Sequence, residues 1–228
     1  MTSIRISIVP ADDAAPKVEP QWKNETGGGP MPRIEPIPFD ELDPDLRSRY
    51  ASGLEAGRYT TDVPLRIYAY AKTYAVASDE RYRLTFRQGL LDVRLEELLR
   101  IRSAQINGCG ACSASRKNAS ISDEDVTCMA GPLESAGYSE RERRALKFLD
   151  AFNRDHHAIG DHDLLELAEV FTTAEIVELG QMCATFIGTH RWTHILDVLD
   201  DSEPVLKFDP SEIDRPITHR VRQQYSEH

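Results

Sequence analysis

Long apolar runs are missing from this 228-residue chain. Nothing in it approaches the roughly 20 uninterrupted apolar residues that cross a bilayer as a helix. An excess of basic charge is missing too. Lys and Arg number 27 against 38 Asp and Glu, for a net charge of −11. Such a chain has no basic stripe to neutralise phosphates, which argues against a nucleic-acid role. The first residues, Met1 to Asp13, lack an apolar core of the kind a secretory signal needs, so an intracellular, cytoplasmic protein is expected. Without secretion the sequon Asn24-Glu25-Thr26 has no meaning. Cysteine is scarce, with Cys109, Cys112, Cys128 and Cys183 only, and a disulfide scaffold is thereby excluded. Between residues 40 and 200 there is no hairpin signal, no βαβ spacing and no internal repeat. What remains is an ordinary globular composition, 40% hydrophobic and 29% charged, long enough for one substantial domain with tails.

Punctuation divides the chain in three. Residues 1–30 carry Pro10, Pro16, Pro20, Pro30 and the run Gly27-Gly28-Gly29, the composition of an extended or disordered arm. The alternation in Ile4-Arg5-Ile6-Ser7-Ile8-Val9 also fits a short strand against a partner. Residues 201–228 hold Pro204, Pro210, Pro216 and many charges, and read as an extended tail. Residues 31–200 between them read as consecutive helices.

Period and caps place those helices. A short one spans about Pro44–Ala56. Pro64 opens one over 64–77, and another lies near 79–90. Val93, Leu95, Leu98, Leu99 and Ile101 form one stripe over 93–106. The next begins at the cysteines and ends near Ser120. Ser122 caps Asp123–Ala130, before Gly131-Pro132. Ser139-Glu-Arg-Glu142 is a capping box opening 140–154. A short helix runs from His162 to Val170. A second capping box, Thr172-Thr-Ala-Glu175, opens a long apolar helix to about Leu199. The fold class expected is all-α.

The stretch with chemistry is Glu97 to Cys112. Asn107-Gly108 tolerates a left-handed backbone and ends one helix. If Cys109 starts the next, its thiol lies near free backbone N–H groups, which favour a thiolate. Cys112, three residues on, shares its face. One thiolate can then attack an oxidant, and the other can resolve the product to a disulfide. A lone C-x-x-C also occurs as half of a zinc site or by chance, but no second C-x-x-C or close histidine pair completes a zinc set here. Nothing calls for a cofactor or metal. Cys128 and Cys183, in apolar helical context, read as buried small hydrophobes.

The segment Gln105-Ile-Asn-Gly-Cys-x-x-Cys112, with Glu97 twelve residues before Cys109, resembles the carboxymuconolactone decarboxylase and alkylhydroperoxidase D-like superfamily. That pattern is a glutamate, eleven residues, then C-x-x-C-x-x-x-H. Met31-Pro-Arg-Ile-Glu-Pro-Ile-Pro resembles the proline-rich lead-in, and Phe171-Thr-Thr-Ala-Glu-Ile-Val-Glu-Leu resembles the start of the C-terminal helix. The resemblance covers roughly residues 31–200. It implies an alkylhydroperoxidase D-like helical bundle that assembles as a dimer, trimer or hexamer. It also implies a peroxidase that reduces a small hydroperoxide and is re-reduced by a thiol protein or small dithiol. By position, Glu97 matches the proton-relay glutamate, Cys112 the peroxide-attacking cysteine and Cys109 the resolving cysteine. Other members are decarboxylases or lactone-type enzymes without a cofactor, and a redox-responsive or structural oligomer is a further alternative.

The pattern's histidine is Arg116 here, and Gly110-Ala111 stands between the cysteines, where some peroxidases have another histidine. Histidine shuttles protons near neutrality, whereas arginine stays charged. If the helices around Asn107-Gly108 fold back on each other, Glu97 and Arg116 both lie about 14–15 Å from the turn. A Glu97–Arg116 ion pair is therefore expected in place of a relay, with Arg116 favouring the Cys112 thiolate. Elsewhere, His156, His157 and His162 with Asp155, Asp161 and Asp163 read as a solvated loop. His190 and His194 read as core or interface, with a weaker claim on the substrate pocket. Tyr68, Tyr70 and Tyr74 read as packing, and the Ser139–Arg144 charges as a solvated helix face.

Overall fold

A computed structural model describes residues 32–198 apart from 57, 60, 86–87, 115–120, 130–132 and 134–136. The N-terminal arm, the strand considered in it, and the C-terminal tail lie outside these residues, and so does Arg116. Among the described residues the structure is helical and has no strand, as the periodicity requires.

Four of the helices begin at a side chain that caps them. In α1 (Pro44–Glu55) the Asp43 carboxylate accepts from the Asp45 N–H and Pro44 fills a first-turn position that needs no donor. In α4 (Val93–Ile106) Asp92 accepts from Leu95 N–H at 2.9 Å. The two expected capping boxes form, at Ser139 before α7 (Glu140–Arg154) and at Thr172 before α9 (Thr173–Leu196). Between these lie α5 (Gly110–Ala114), α6 (Asp123–Met129) and α8 (Asp161–Ala168).

One boundary differs. Helix α2 (Val63–Tyr68) passes through a 3-10 turn at Ala69–Ala71 directly into α3 (Lys72–Thr85), so the break falls at 69–71 rather than near 78. A 3-10 turn winds three residues per turn rather than 3.6, and the apolar register of α2 does not carry across it. Ala69 and Ala75 take the inward positions, while Tyr70 and Tyr74 are 57% and 67% exposed. The reading of these two tyrosines as packing is therefore wrong; only Tyr68 packs against the core.

Helix α4 sits at the centre, packed by α5, α7 and α9. Leu95, Leu98, Leu99 and Ile101 meet Leu149 and Leu179 in the main core. Each fully buried leucine contributes roughly 1.5–3 kcal/mol relative to exposure. Leu42, Leu46, Tyr50 and Leu65 build a smaller cluster under α1–α3. Helix α4 has no solvent face beyond its first turn: Leu95 to Ile106 are all buried, including Glu96, Glu97, Arg100, Arg102, Ser103 and Gln105. Its polar side is held by partners. Arg102 forks Asp150 of α7 at 2.9 and 2.6 Å and donates to the Met129 carbonyl, which ties α4, α6 and α7 together. Gln105 Nε2 donates to the Val126 carbonyl at 3.1 Å.

Glu140 on α7 lies near water, as expected, but Arg143, Arg144 and Arg141 are only half-buried, and of these Arg141 crosses to α9. Its guanidinium lies 3.9 Å from the Phe171 ring centroid and 2.6 Å from Glu175, joining α7 to the start of α9. Among the described residues no helix is long and apolar enough to cross a membrane.

Candidate active site around the cysteine pair

The turn between α4 and α5 forms as its residues dictate. Gly108 has φ +68°, the left-handed region that glycine enters without a Cβ penalty. Cys109 N–H donates to the Ala104 carbonyl at 2.9 Å and Gly108 N–H to the Gln105 carbonyl at 3.4 Å. These two bonds make a Schellman closure of α4. Asn107 fastens the same turn to the rest of the bundle. Its Nδ2 donates to Ser103 O and to Asn153 Oδ1, and its Oδ1 accepts from Arg191 Nε at 2.8 Å. The Cys109 N–H is thereby committed to Ala104 and is not itself a free donor for a thiolate.

The two cysteines meet as the spacing requires. Cys109 and Cys112 are joined as a disulfide, with Cα atoms 5.3 Å apart. Cys109 is fully buried, while Cys112 is half-buried. Both border a cavity of about 160 Å³ between the small α1–α3 cluster and α9. Its wall carries Tyr59, Tyr68 and Tyr82 on one side and Arg100 and His190 on the other.

Glu97 lies at this site and pairs along its own helix. Both its carboxylate oxygens accept from Arg100, one turn along the same helix, at 2.8 and 2.7 Å. The pair is buried, with side-chain exposures of 4% and 0%. Arg100 Nη1 also donates to the Cys112 carbonyl at 2.5 Å. The glutamate thus reaches the cysteine loop through Arg100. The Glu97–Arg116 pair lies outside the described residues. Sequence reasoning missed Arg100, although its position three residues after Glu97 is a standard pairing distance on a helix.

His190 completes the wall. It is buried on α9, with Nδ1 3.0 Å from Ser103 Oγ and its ring stacked on Phe186. Burial, and next the positive charge of Arg100, push its pKa down to about 3, so it stands neutral. His194, by contrast, is exposed. Asp79 is a second buried carboxylate on the wall, accepting from the Tyr59 hydroxyl at 2.6 Å and facing Arg49 at 3.5 Å. Burial and then Asp79 raise the Tyr59 phenol pKa.

The remaining candidates separate from the site. Cys183 is buried in the core and burial raises its thiol pKa. Cys128 is half-buried rather than buried, a correction to its reading as a core hydrophobe. His156, His157 and His162 are exposed, and no cluster of potential metal ligands occurs among the described residues.

With this geometry in hand, comparison with known proteins places the fold. Residues 72–151, from α3 through most of α7 and including both cysteines, match the carboxymuconolactone decarboxylase family. The chain resembles that family over this segment, and beyond it shares its fold with several solved structures. It is similar in structure to an uncharacterized peroxidase-related protein from Silicibacter sp. TM1040, at 18% identity and a TM-score of 0.65, covering 77% of this chain and 97% of that one. A peroxidase-related protein from Ralstonia eutropha JMP134, described as an alkylhydroperoxidase AhpD core, aligns at 17% identity and a TM-score of 0.60, covering 77% and 95%. The debrominase Bmp8 aligns at 18% identity and a TM-score of 0.59, covering 79% and 97%. No curated protein matches the chain in sequence.

Proposed function

We propose that the protein is a thiol-dependent oxidoreductase that reduces a small hydroperoxide through Cys112 and Cys109. The observation that carries the reading is the asymmetry of the pair: both cysteines border one cavity, but Cys112 is half-buried and Cys109 is fully buried. An attacking thiol needs access, whereas a resolving thiol needs only its partner.

The cycle balances with a dithiol reductant. The Cys112 thiolate attacks the terminal peroxide oxygen, the O–O bond breaks, and the alkoxide takes the Cys109 proton to leave as an alcohol. Cys112 is then a sulfenic acid. The Cys109 thiolate attacks its sulfur, the S–O bond breaks, and hydroxide leaves as water after protonation from solvent. The disulfide returns to two thiols when a thiol protein or small dithiol supplies two electrons and two protons. Glu97, held between two donors of Arg100, serves as a charged anchor for the Cys112 loop rather than as a proton acceptor. Arg116, where the superfamily pattern has histidine, supplies charge near Cys112 and no proton transfer. The assembly expected of the superfamily, a dimer, trimer or hexamer, belongs to the proposal, and light scattering measures it.

Peroxide consumption with dithiothreitol tests the chemistry. Cys112→Ser is expected to abolish turnover, and full activity in that variant would overturn the mechanism. Arg116→His is expected to raise turnover about 10²-fold, the contribution of a positioned general acid–base group. An inert wild type whose thiols still react with peroxide would favour the redox-responsive reading. Because one structural relative is a debrominase, 2,3,4-tribromopyrrole belongs in the same assay. Its debromination without peroxide reduction would replace the substrate while keeping the dithiol.

A further inference from the structure

A second, larger space adjoins the cysteine cavity. An open groove of about 1010 Å³ runs between the first described residues, α2–α3 and α9. Its aromatic wall is Tyr70, Tyr74 and Trp192, exposed by 57%, 67% and 44%. Its floor on α9 is made of small residues, among them Ala184 and Gly188. A Cβ built on Gly188 meets nothing within 4 Å, so the floor is open. Tyr68, Ser78, Arg81, Thr185 and Thr189 border both the groove and the cysteine cavity, so the two spaces adjoin across these side chains.

The charges around these spaces single out one residue. Of the groove's charged residues, Arg33 donates to the Ile195 carbonyl, and Glu35 does not border the inner cavity. In the inner cavity Arg100 is paired with Glu97, and Arg58 lies 3.7 Å from Asp79. Arg81 borders both spaces, is exposed, and forms no ion pair among the described residues. A guanidinium among phenols, at the junction of an aromatic groove and a reactive cavity, is suited to a carboxylate. The inner space is close to the ~150 Å³ apolar cavity that holds one benzene ring, so only a compact part of a ligand passes beyond Arg81.

We propose that the groove and cysteine cavity together bind an organic carboxylic acid, its flat apolar body on the Tyr70–Tyr74–Trp192 wall and its carboxylate on Arg81. This rests on the thiol reading for its meaning as a substrate site, but not for its binding. Arg81 sets the specificity by anchoring the acid at the mouth of the cavity, where one end of the molecule faces Cys112.

Calorimetry on the full-length oxidised protein tests it with 2-naphthoate and the uncharged 2-naphthalenemethanol as probes. Wild type is expected to bind the acid about tenfold more tightly than the alcohol, the worth of a charge-assisted hydrogen bond. Arg81→Gln should bring the two within about twofold, and Arg81→Lys should keep the preference. Gly188→Leu fills the groove floor in a helix that gains propensity from the change, and it should weaken both probes about tenfold. Binding is read without peroxide or reductant, so an inert peroxidase assay speaks to the thiol mechanism and not to this site. Equal affinities for acid and alcohol in wild type would overturn the proposal. So would an unchanged preference in Arg81→Gln. A Gly188→Leu variant with altered oligomer mass and unaltered probe binding would also overturn it, by making the groove a contact between copies.

Discussion

Helices α4 and α7 have the same kind of sequence, an apolar stripe beside a row of charges, yet their polar faces end in opposite places. On α7, Glu140 takes ion pairs from Arg143 and Arg144 at 2.8 and 2.7 Å at the edge of the bundle, where its side chain is 53% exposed. On α4, Glu97, Arg100 and Arg102 are inside. An exposed pair exchanges water for a partner at little net gain. A buried pair is different: each charge has lost its water, so removal of one partner leaves the other stranded. The Glu140 cluster at the start of α7 is therefore replaceable, while the polar side of α4 holds the cysteine loop and the bundle together.

The sharpest way to break this comparison is Arg102→Ala. It strands Asp150 and leaves the Met129 carbonyl without its donor, and is expected to cost about 3–5 kcal/mol in urea unfolding. A cost near that of a surface change would mean that water reaches Asp150 and that the two faces are alike.

His190 comes next. Its folded-state pKa, pushed down to about 3, lies below its ordinary value of 6.5. The unfolded chain therefore binds a proton between those values that the folded chain does not. The stability contribution is complete above the unfolded pKa and is lost as pH falls through the window towards 3. Between pH 7 and pH 5 the loss is about 2 kcal/mol. His190→Gln should flatten that part of the stability profile, and an unchanged slope would show that His190 is not the group responsible.

Smaller effects belong to α7. Ser139→Ala removes the side chain that accepts from Glu142 N–H and is expected to cost about 1 kcal/mol by thermal or urea unfolding. Smallest is Glu140→Gln, which should leave the denaturation midpoint where it is, even though Arg144 and then Arg143 hold the Glu140 carboxyl below its usual pKa. A marked loss there would move the α7 charges into the same category as those of α4.

Much of the fold was legible because caps and periodicity are local. The boundaries of α4 and α7 fall where the sequence places them, at Val93–Ile106 and Glu140–Arg154. The Asn107-Gly108 turn and the meeting of Cys109 with Cys112 follow from glycine's backbone freedom and a three-residue spacing. The failures share a cause. The 3-10 turn at Ala69–Ala71 re-phases the tyrosines, and no residue type announces it. Arg100 was overlooked as Glu97's partner because an amphipathic pattern does not say whether its polar side meets water or protein.

By itself the sequence determined a helical chain with a close thiol pair after a glycine turn and a glutamate in register with it, because each of these depends on neighbours a few residues away. Only the tertiary structure decided that Cys109 is fully buried and Cys112 half-buried on one cavity, that Arg100 stands between Glu97 and the Cys112 carbonyl, and that Arg81 borders two spaces. Those relations depend on α1–α3, α4 and α9 meeting in space, and burial, which sets the energy of every charge involved, exists only once they have met.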